Sequence, residues 1–400
     1  MATSSALLQP PAPPACGALL PVYSRAPVTF VGGRGVELLD ADGRAYLDFT
    51  SGIAVNALGY GDAGLTAALQ RAVDAGLVHT SNLYRTQPGE ELAERLVASS
   101  FADQVFFCNS GAEANEGAFK FARKWGRSRD GAGKHEIVAL RGSFHGRLFA
   151  TLAATDRPAY RLPFRPLAGG ISIAERDRDE LAAVLHAQTV AAVIVEPVQG
   201  EGGVRVLDAG FLRWLRELTL DRDILLVFDE IQCGMGRTGT LFAYEHANVT
   251  PDILTLAKPL AGGLPMGAIL MTDRVAAAMK PGDHGSTFGG GPFVATVANH
   301  VLARVSEPAM LAHVTQTGAW FGEQLRALAE RTGKIRAVRG VGFIWGIDVH
   351  EPAAAIVTRA LHAGLLLVSA GEHTVRFLPP LVATRDDLAR GLAILEEVLA

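Results

Sequence analysis

The sequence predicts an α/β fold with a mainly parallel sheet, followed by a smaller α+β region at the C-terminus. Between about residues 65 and 345, short apolar runs alternate with helical patterns, as expected for repeated βαβ units. The apolar runs are continuous rather than alternating, which is typical of strands buried on both faces. Several runs end directly in carboxylates or glycines, and open α/β sheets bind their ligands at such strand ends.

The individual elements can be predicted in chain order. Near the N-terminus we expect strands over 28–31 and 36–40, with turns at Gly32 and Gly33 and at Asp42 and Gly43. Central strands are expected at 104–108, 136–140, 191–196, 224–229 and 253–257, with intervening helices at 113–125, 180–187 and 210–219. After Phe293 the pattern predicts mostly helix, then a strand over 338–347, an amphipathic helix, and short strands over 365–368 and 374–377.

The chain has 400 residues, of which 49% are hydrophobic, enough for a large core in two domains. We expect residues 21–64 to contribute to a small domain, 65–295 to form the large domain and 296–400 to complete the small one. Residues 1–20 are rich in Pro, Ala and Ser and carry no charged side chain. This composition favours a disordered lead-in, with an organelle-targeting segment as the alternative.

Bulk composition excludes several classes of protein. The net charge of −4 gives no general attraction to nucleic acid or acidic membranes, and no apolar run approaches membrane-spanning length. Cys16, Cys108 and Cys233 form no CxxC and no zinc-like spacing, so no metal site is expected. A reducing compartment, the cytoplasm, is the predicted location.

Asp229 and Lys258 are the pair of residues that best indicates a chemistry. Asp229 closes an apolar run, so it lies at the carboxyl end of a predicted central strand. Lys258 stands between another apolar run and the small residues of segment 259–263, where its amine would be desolvated, partly neutral and nucleophilic. A lysine that forms a Schiff base and an aspartate that holds a pyridinium nitrogen are the two groups that pyridoxal phosphate requires.

A turn of small residues precedes the predicted helix at 113–125. Asn109, Ser110, Gly111 and Ala112 link the strand at 104–108 to this helix. The free N–H groups and the positive end of the dipole at a helix N-terminus suit a phosphate. Asn and Ser are also ordinary caps, so this turn alone leaves both interpretations open.

Two further strand ends carry polar side chains. Phe144 and Arg147 follow the strand at 136–140, and they offer a ring for a planar cofactor and a clamp for a carboxylate. Glu196 and Glu201 follow the strand at 191–196. Two carboxylates alone would suggest glycosidase-like acid–base chemistry, but no other carbohydrate-binding feature accompanies them.

Segment 234–239 matches the G-x-G-x-x-G pattern of dinucleotide sites. Four residues separate it from the preceding strand and it does not open a predicted helix. No acid lies about 20 residues past its last glycine, because Asp252 is too near. The pattern therefore lacks the context that a dinucleotide site requires.

Seven segments, taken together and in order, resemble a known family. They are NSGAEAN, SFHGR, VEPVQGEGG, FDEIQCGMGRTG, TLAKPLAGGLPMGA, GDHGSTFGG and VRFLPPL. They closely resemble the class III aminotransferases, pyridoxal-phosphate-dependent transferases of fold type I, and are most similar to the acetylornithine aminotransferases. The resemblance covers nearly everything from Pro21 to the C-terminus.

The resemblance implies a role for each residue around a pyridoxal 5'-phosphate cofactor. Lys258 corresponds to the Schiff-base lysine and Asp229 to the partner of the pyridine nitrogen. Gln232 would lie by the ring hydroxyl, and Phe144 would stack on the ring.

The resemblance also implies a phosphate site and a homodimer. Ser110, Gly111 and Ala112 would hold the phosphate, joined by Thr287 reaching across from the second subunit. Two residues depart from the family pattern here, because Ala112 replaces a common Thr and Gly291 replaces a common Asn.

For the substrates, the resemblance implies Arg147 and Arg376 as carboxylate-binding arginines, with Glu201 pairing with Arg376 until a dicarboxylate needs it. The implied reaction converts N-acetylornithine and 2-oxoglutarate to N-acetylglutamate 5-semialdehyde and glutamate. Ornithine δ-aminotransferase or another ω-amino acid aminotransferase is the alternative. Ornithine enzymes carry a tyrosine where Ile53 stands here, and an apolar residue suits an acylated donor better. A catalytically silent regulatory subunit is a second alternative, although the residues that it would be free to lose are all present.

Overall fold

The computed structural model describes residues 18–130 and 133–400. The prediction of a lead-in over residues 1–20 therefore falls mainly outside the described part of the chain. The strands, in chain order, are β1 (Phe30–Arg34), β2 (Glu37–Asp40), β3 (Ala45–Asp48), β4 (Gln104–Cys108), β5 (Glu136–Leu140), β6 (Ile171–Ala174), β7 (Val190–Val195), β8 (Val198–Gln199), β9 (Arg205–Val206), β10 (Leu225–Asp229), β11 (Ile253–Leu256), β12 (Gly267–Met271), β13 (Ile335–Val341), β14 (Ile344–Val349), β15 (Leu365–Leu366), β16 (Val368–Ser369) and β17 (Thr374–Phe377).

The helices connect and cover these strands. In chain order they are α1 (Ser51–Ala54), α2 (Ala63–Asp74), α3 (Gln87–Ala98), α4 (Gly111–Asp130), α5 (Phe149–Ala153), α6 (Pro158–Arg161), α7 (Arg178–Val184), α8 (Ala209–Asp221), α9 (Asp273–Ala276), α10 (Pro292–Val305), α11 (Pro308–Thr332), α12 (Ala353–His362) and α13 (Arg385–Leu399). Short 3-10 helices span Leu162–Phe164, Ala243–Ala247 and Lys258–Ala261. Among the described residues, no helix has the length and apolar character needed to cross a bilayer.

The central sheet has seven strands in the order β4-β12-β11-β10-β7-β5-β6. Its neighbouring strands pair in parallel except where β12 lies antiparallel between β11 and β4. The prediction of a mainly parallel sheet is therefore confirmed, while β12 was not predicted. Every residue of β7, β10 and β11 is buried, as expected for a sheet covered on both faces.

Side chains of β10 show how the two faces are filled. Leu226 and Phe228 point into one apolar cluster, and Leu225 and Val227 into a second cluster that includes buried residues of α4. This alternation follows from the period of two in a strand. The sheet is therefore a rigid base whose carboxyl edge presents the side chains that follow each strand.

The smaller sheets join distant parts of the chain. β1, β2, β3 and β15 form one sheet, in which β15 pairs in parallel with β3. A second sheet has the order β13-β14-β17-β16, and β8 pairs with β9. The N-terminal strands thus share a sheet with a C-terminal one, but the domain boundaries given above stay predictions.

Three local predictions are wrong, each because the backbone turns elsewhere. Gly32 and Gly33 are paired within β1, and the turn comes at Gly35, where φ is +59°. Segment 338–347 contains the hairpin between β13 and β14, which turns at Gly342 with φ of +54°. Segment 365–368 divides between β15 and β16, which belong to different sheets.

Candidate active site

A cavity of about 390 Å³ opens beside the carboxyl ends of β4, β5, β7, β10 and β11. Its walls include every predicted site residue except Thr287 and Arg376, namely Ser110, Gly111, Ala112, Phe144, Arg147, Glu201, Asp229, Gln232 and Lys258. Residues that follow five different strands thus meet in one place, as the sheet topology requires.

Asp229 is buried at the end of β10 and held by several hydrogen bonds. Its Oδ2 accepts from Asn115 Nδ2 at 2.7 Å and from His145 Nδ1 at 2.8 Å, and its Oδ1 accepts from the Ile231 N–H at 3.1 Å. Thr255 Oγ1 in turn donates to Asn115 Oδ1 at 2.8 Å. These bonds fix the orientation of the carboxylate.

Lys258 begins the 3-10 helix that follows β11 and lines the cavity. Its φ is +31°, a conformation that side-chain-bearing residues rarely adopt and that tends to occur at functional sites. Burial, together with the charge of Arg376, lowers the pKa of Lys258 to about 8, although Glu201 opposes the change. At pH 7 about a tenth of this amine is then neutral and able to act as a nucleophile.

The candidate phosphate-binding turn, residues 109–112, lies at the N-terminus of α4. Ser110 Oγ accepts from the Glu113 N–H at 3.2 Å, and Glu113 is itself held by the Asn109 N–H at 2.7 Å. A Cβ atom added to Gly111 would come within 2.8 Å of Ile231 Cδ1, so the backbone approaches the cavity wall closely here. This geometry leaves backbone N–H groups of the first turn without an intrahelical partner, which suits an anion.

The loop after β5 brings an aromatic ring and a cation to the cavity. The Phe144 N–H donates to Glu196 Oε1 at 2.9 Å. Burial, with the nearby charge of Asp229, raises the pKa of Glu196 to about 7. The guanidinium of Arg147 lies 5.7 Å from the Phe144 ring centroid and 3.5 Å from that of Tyr160. Arg147 makes no ion pair within the described part of the chain, so its charge is available to a ligand.

Arg376 differs from Arg147 because it is already paired. It lies on β17, only 1% exposed, with Nη2 2.7 Å from Glu201 Oε1, and its Nη1 donates to Gln232 Oε1 at 2.9 Å. Burial alone would raise the pKa of Glu201, but Arg376 and Lys258 outweigh it and hold that pKa below its usual value. The site therefore holds one unpaired arginine and one that is neutralised by an ionised glutamate.

The wall near the N-terminal segment is apolar. Helix α1 is a left-handed turn, with φ between +43° and +67° from Ser51 to Ala54, and it is followed by Val55, which lines the cavity. Ile53, where the sequence predicted the apolar neighbour of the donor, is 41% exposed and lies outside the cavity wall. Val55 is the apolar residue of this segment that lines the cavity.

Thr287 lies on an exposed loop beside the candidate phosphate-binding turn. It lines a neighbouring cavity together with Asn109, Glu113 and Leu148, and Ser286 Oγ in the same loop accepts from Asn109 Nδ2 at 3.0 Å. Thr287 thus lies close to the candidate phosphate-binding turn at 109–112 but does not line the cavity of its own chain.

Three other contributions were not assigned from the sequence. Asn115, His145 and Val55 reach the site through the fold, and none of them was predicted as a site residue. Asn115 had one usable signal, since it follows Gly111 by four residues and so lies on the same face of α4.

Comparisons with known proteins show the family of this chain. The family model described as Aminotransferase class-III matches residues 21–399, and the chain belongs to this family. It is 48% identical over 387 residues to an acetylornithine aminotransferase, described as mitochondrial, from Alnus glutinosa, covering 95% of this chain and 85% of that protein.

Solved structures of the same family are also similar to this one. An ornithine aminotransferase from Toxoplasma gondii has a TM-score of 0.91 at 30% identity, covering 96% of this chain and 92% of that one. An N-acetylornithine aminotransferase from Stenotrophomonas maltophilia has a TM-score of 0.82 at 39% identity, covering 93% and 95%. The predicted fold class, fold type I of the pyridoxal-phosphate-dependent transferases, is confirmed by these likenesses.

Proposed function

We propose that this protein is a pyridoxal-phosphate-dependent aminotransferase of arginine biosynthesis. Its reaction converts N-acetylornithine and 2-oxoglutarate to N-acetylglutamate 5-semialdehyde and glutamate. One observation carries the proposal. A single cavity is lined by a desolvated lysine, a buried aspartate, a free arginine and a glutamate whose carboxylate is paired with a second, buried arginine. The relatives named acetylornithine aminotransferase support the same activity.

The residues present fit pyridoxal 5'-phosphate on the geometry of this chain. The first turn of α4, with Ser110, Gly111 and Ala112, would hold the phosphate, and Phe144 would cover the ring. Asp229 would hold the ring nitrogen, Gln232 would lie near the ring hydroxyl, and the Lys258 amine would bond to the aldehyde. When bound, this cofactor supplies a ring that withdraws negative charge from the substrate carbon as a proton leaves.

The chain's own contribution to that step is positioning and proton transfer. Asp229, fixed by Asn115 and His145, would place its carboxylate by the ring nitrogen and so would keep that nitrogen protonated. Lys258, with a pKa lowered to about 8, is poised near neutral pH to accept and return the proton.

The two arginines have different roles in substrate binding. Arg147 is free to bind one carboxylate in both half-reactions. Arg376 stays paired with Glu201 while the donor, which has one carboxylate, occupies the site. It then exchanges Glu201 for the second carboxylate of 2-oxoglutarate.

A homodimer, with Thr287 completing the partner's site, is part of the proposal. The loop that carries Thr287 is exposed, and Asn82 Nδ2 donates to the Ser286 carbonyl at 2.7 Å. Leu83, Tyr84 and Phe288 are 88%, 71% and 65% exposed. Large exposed apolar side chains beside a site often mark a protein interface, and an interface here would bring this loop to the candidate phosphate-binding turn of the partner subunit.

The cytoplasm remains the proposed location, because buried Cys108 and Cys233 are free thiols. An organelle is the alternative, since the relative from Alnus glutinosa is described as mitochondrial. Imaging of the tagged full-length chain in its own cells distinguishes the two.

A donor screen tests the proposed substrate. With 2-oxoglutarate as acceptor, we expect kcat/KM for N-acetylornithine to exceed that for ornithine, because Val55 offers an apolar wall and no partner for a free α-ammonium group. A preference for ornithine would favour the second candidate, an ornithine aminotransferase, which the likeness to the Toxoplasma gondii structure supports. Absence of turnover with every donor, and of cofactor absorbance, would favour a silent regulatory relative.

A further inference from the structure

We propose that one short segment, Arg157 to Tyr160, positions both carboxylate-binding groups of the site. These are the guanidinium of Arg147 and the ion pair of Glu201 with Arg376. Tyr160 orients the guanidinium of Arg147, and Arg157 fixes the position and charge of Glu201. This inference rests on the proposed function, because it names residues that act through the proposed substrate ligands. Both are positioning residues, not catalytic ones.

Tyr160 lies directly against the free arginine. The Arg147 guanidinium lies 3.5 Å from the Tyr160 ring centroid, and the Phe144 ring lies farther away at 5.7 Å. A guanidinium over an aromatic face is attracted by the ring quadrupole and keeps its N–H edges free. Arg147 has no acidic partner in the described ranges, and of the two rings beside its guanidinium that of Tyr160 is the nearer.

Arg157 acts on the second group, the ion pair of Glu201 with Arg376. Its Nη2 donates to the main-chain carbonyl of Glu201, and its charge is one of the influences that hold the pKa of the Glu201 carboxyl down. The same carboxylate pairs with Arg376 at 2.7 Å. Arg157 therefore fixes the backbone from which Glu201 reaches Arg376 and helps to keep Glu201 ionised.

Hydrogen bonds join the start of this segment to the loop that follows β5. The Asp156 N–H donates to the Ser143 carbonyl at 2.9 Å, and Asp156 Oδ2 accepts from the Gly142 N–H at 2.8 Å. Thr155 Oγ1 accepts from the His145 N–H at 3.0 Å. Residues just before Arg157 are thus hydrogen-bonded to the loop that carries Arg147, which fixes the position of one relative to the other.

Tyr160 is tested with a pair of variants. Tyr160→Ala should raise the KM values for both the donor and the acceptor, by about three- to thirtyfold each, with little change in kcat at saturation. Tyr160→Phe keeps the ring and should restore both KM values. Unchanged KM values in Tyr160→Ala, or a loss of kcat alone, would overturn the role of Tyr160.

Arg157 is tested by the split between substrates. Arg157→Gln should raise the KM for N-acetylornithine, on the order of three- to tenfold, and leave the KM for the acceptor unchanged or lower, because Arg376 is less well neutralised. Arg157→Lys retains the charge and separates that contribution from the hydrogen bond. Equal changes for both substrates, or none, would overturn the role of Arg157.

All variants are compared with the wild-type holoenzyme for melting temperature and bound-cofactor absorbance, so that misfolding is detected separately. If the wild-type holoenzyme lacks transaminase activity, the proposed function fails. If it is active and the expected KM pattern is missing, only the positioning inference fails.

Discussion

Replacing Arg376 with alanine tests the exchange between Glu201 and the second carboxylate of the acceptor, 2-oxoglutarate. Arg376 is buried, bonded to Glu201 at 2.7 Å and to Gln232 at 2.9 Å. Losing a charge-assisted pair of hydrogen bonds to the acceptor costs about 1.5–3 kcal/mol. This corresponds to a rise of roughly 10- to 150-fold in the KM for the acceptor. The unpaired charge of Glu201 would repel that carboxylate and increase the effect.

The donor half-reaction should respond less, because in the proposed function Arg147 binds the single carboxylate of the donor. We expect the KM for N-acetylornithine to change by less than about threefold. Steady-state kinetics with both substrates varied, or each half-reaction followed by cofactor absorbance, measures the two effects separately. Arg331→Ala is the matched control, since Arg331 pairs with Glu396 at 3.1 Å on the surface and should leave both KM values unchanged.

Glu201→Gln provides the complementary test. It leaves Arg376 with no neutralising partner, so the KM for N-acetylornithine should rise while the KM for the acceptor stays the same or falls. If Arg376→Ala damages both substrates equally, the exchange does not operate. Glu201 and Arg376 would then be a structural ion pair.

Four further predictions concern the cofactor. Lys258→Ala should abolish turnover, and borohydride reduction of the wild-type holoenzyme followed by peptide mapping should place the pyridoxyl label on Lys258; a label on another lysine would refute the assignment. Asp229→Asn should still fold but lose on the order of 10²-fold or more in kcat, and near-normal turnover would make Asp229 merely a residue that ends a strand. Because burial lowers the pKa of Lys258 to about 8 from 10.5, its neutral fraction rises with pH, so cofactor uptake by the cofactor-free protein should speed up from pH 7 and level off above about 8. A rate that keeps rising towards pH 10.5 would contradict that desolvation. Thr287→Val should release the cofactor faster on dialysis, and a monomer by light scattering would rule out its role across a dimer.

Much of the fold could be predicted because several of its central strands are continuous apolar runs in the sequence. The apolar runs of β4 and β5 begin and end where the structure has them, at Gln104–Cys108 and Glu136–Leu140. Strand β12 was not predicted, although it is a buried apolar run like the others. Its own residues do not indicate that it pairs antiparallel between β4 and β11. The hairpin of β13 and β14 was missed because its turn is carried by a single glycine, Gly342.

The candidate site divides in a similar way. Residues at strand ends, such as Asp229 and Glu196, could be predicted because the sheet brings all those ends to one edge. Asn115 and His145 act on Asp229 from 114 and 84 residues away in the sequence. Their roles depend on which tertiary neighbour each one meets, and no local pattern encodes that. The position of Val55 depends on the left-handed turn before it, which requires positive φ at four consecutive residues and is not a conformation that composition predicts.

The parallel pairing of β3 with β15 has a consequence for synthesis of the protein. Leu47 and Asp48 face Leu365 and Leu366, so this sheet cannot close until the chain has left the ribosome as far as Leu366. Arg376 lies ten residues beyond Leu366 and is also supplied late. Contacts between residues so far apart form slowly. A chain that ends between residues 259 and 375 has Lys258 and the turn at 109–112 but not Arg376. Such a chain would lack the arginine to which we assign the second carboxylate of the acceptor.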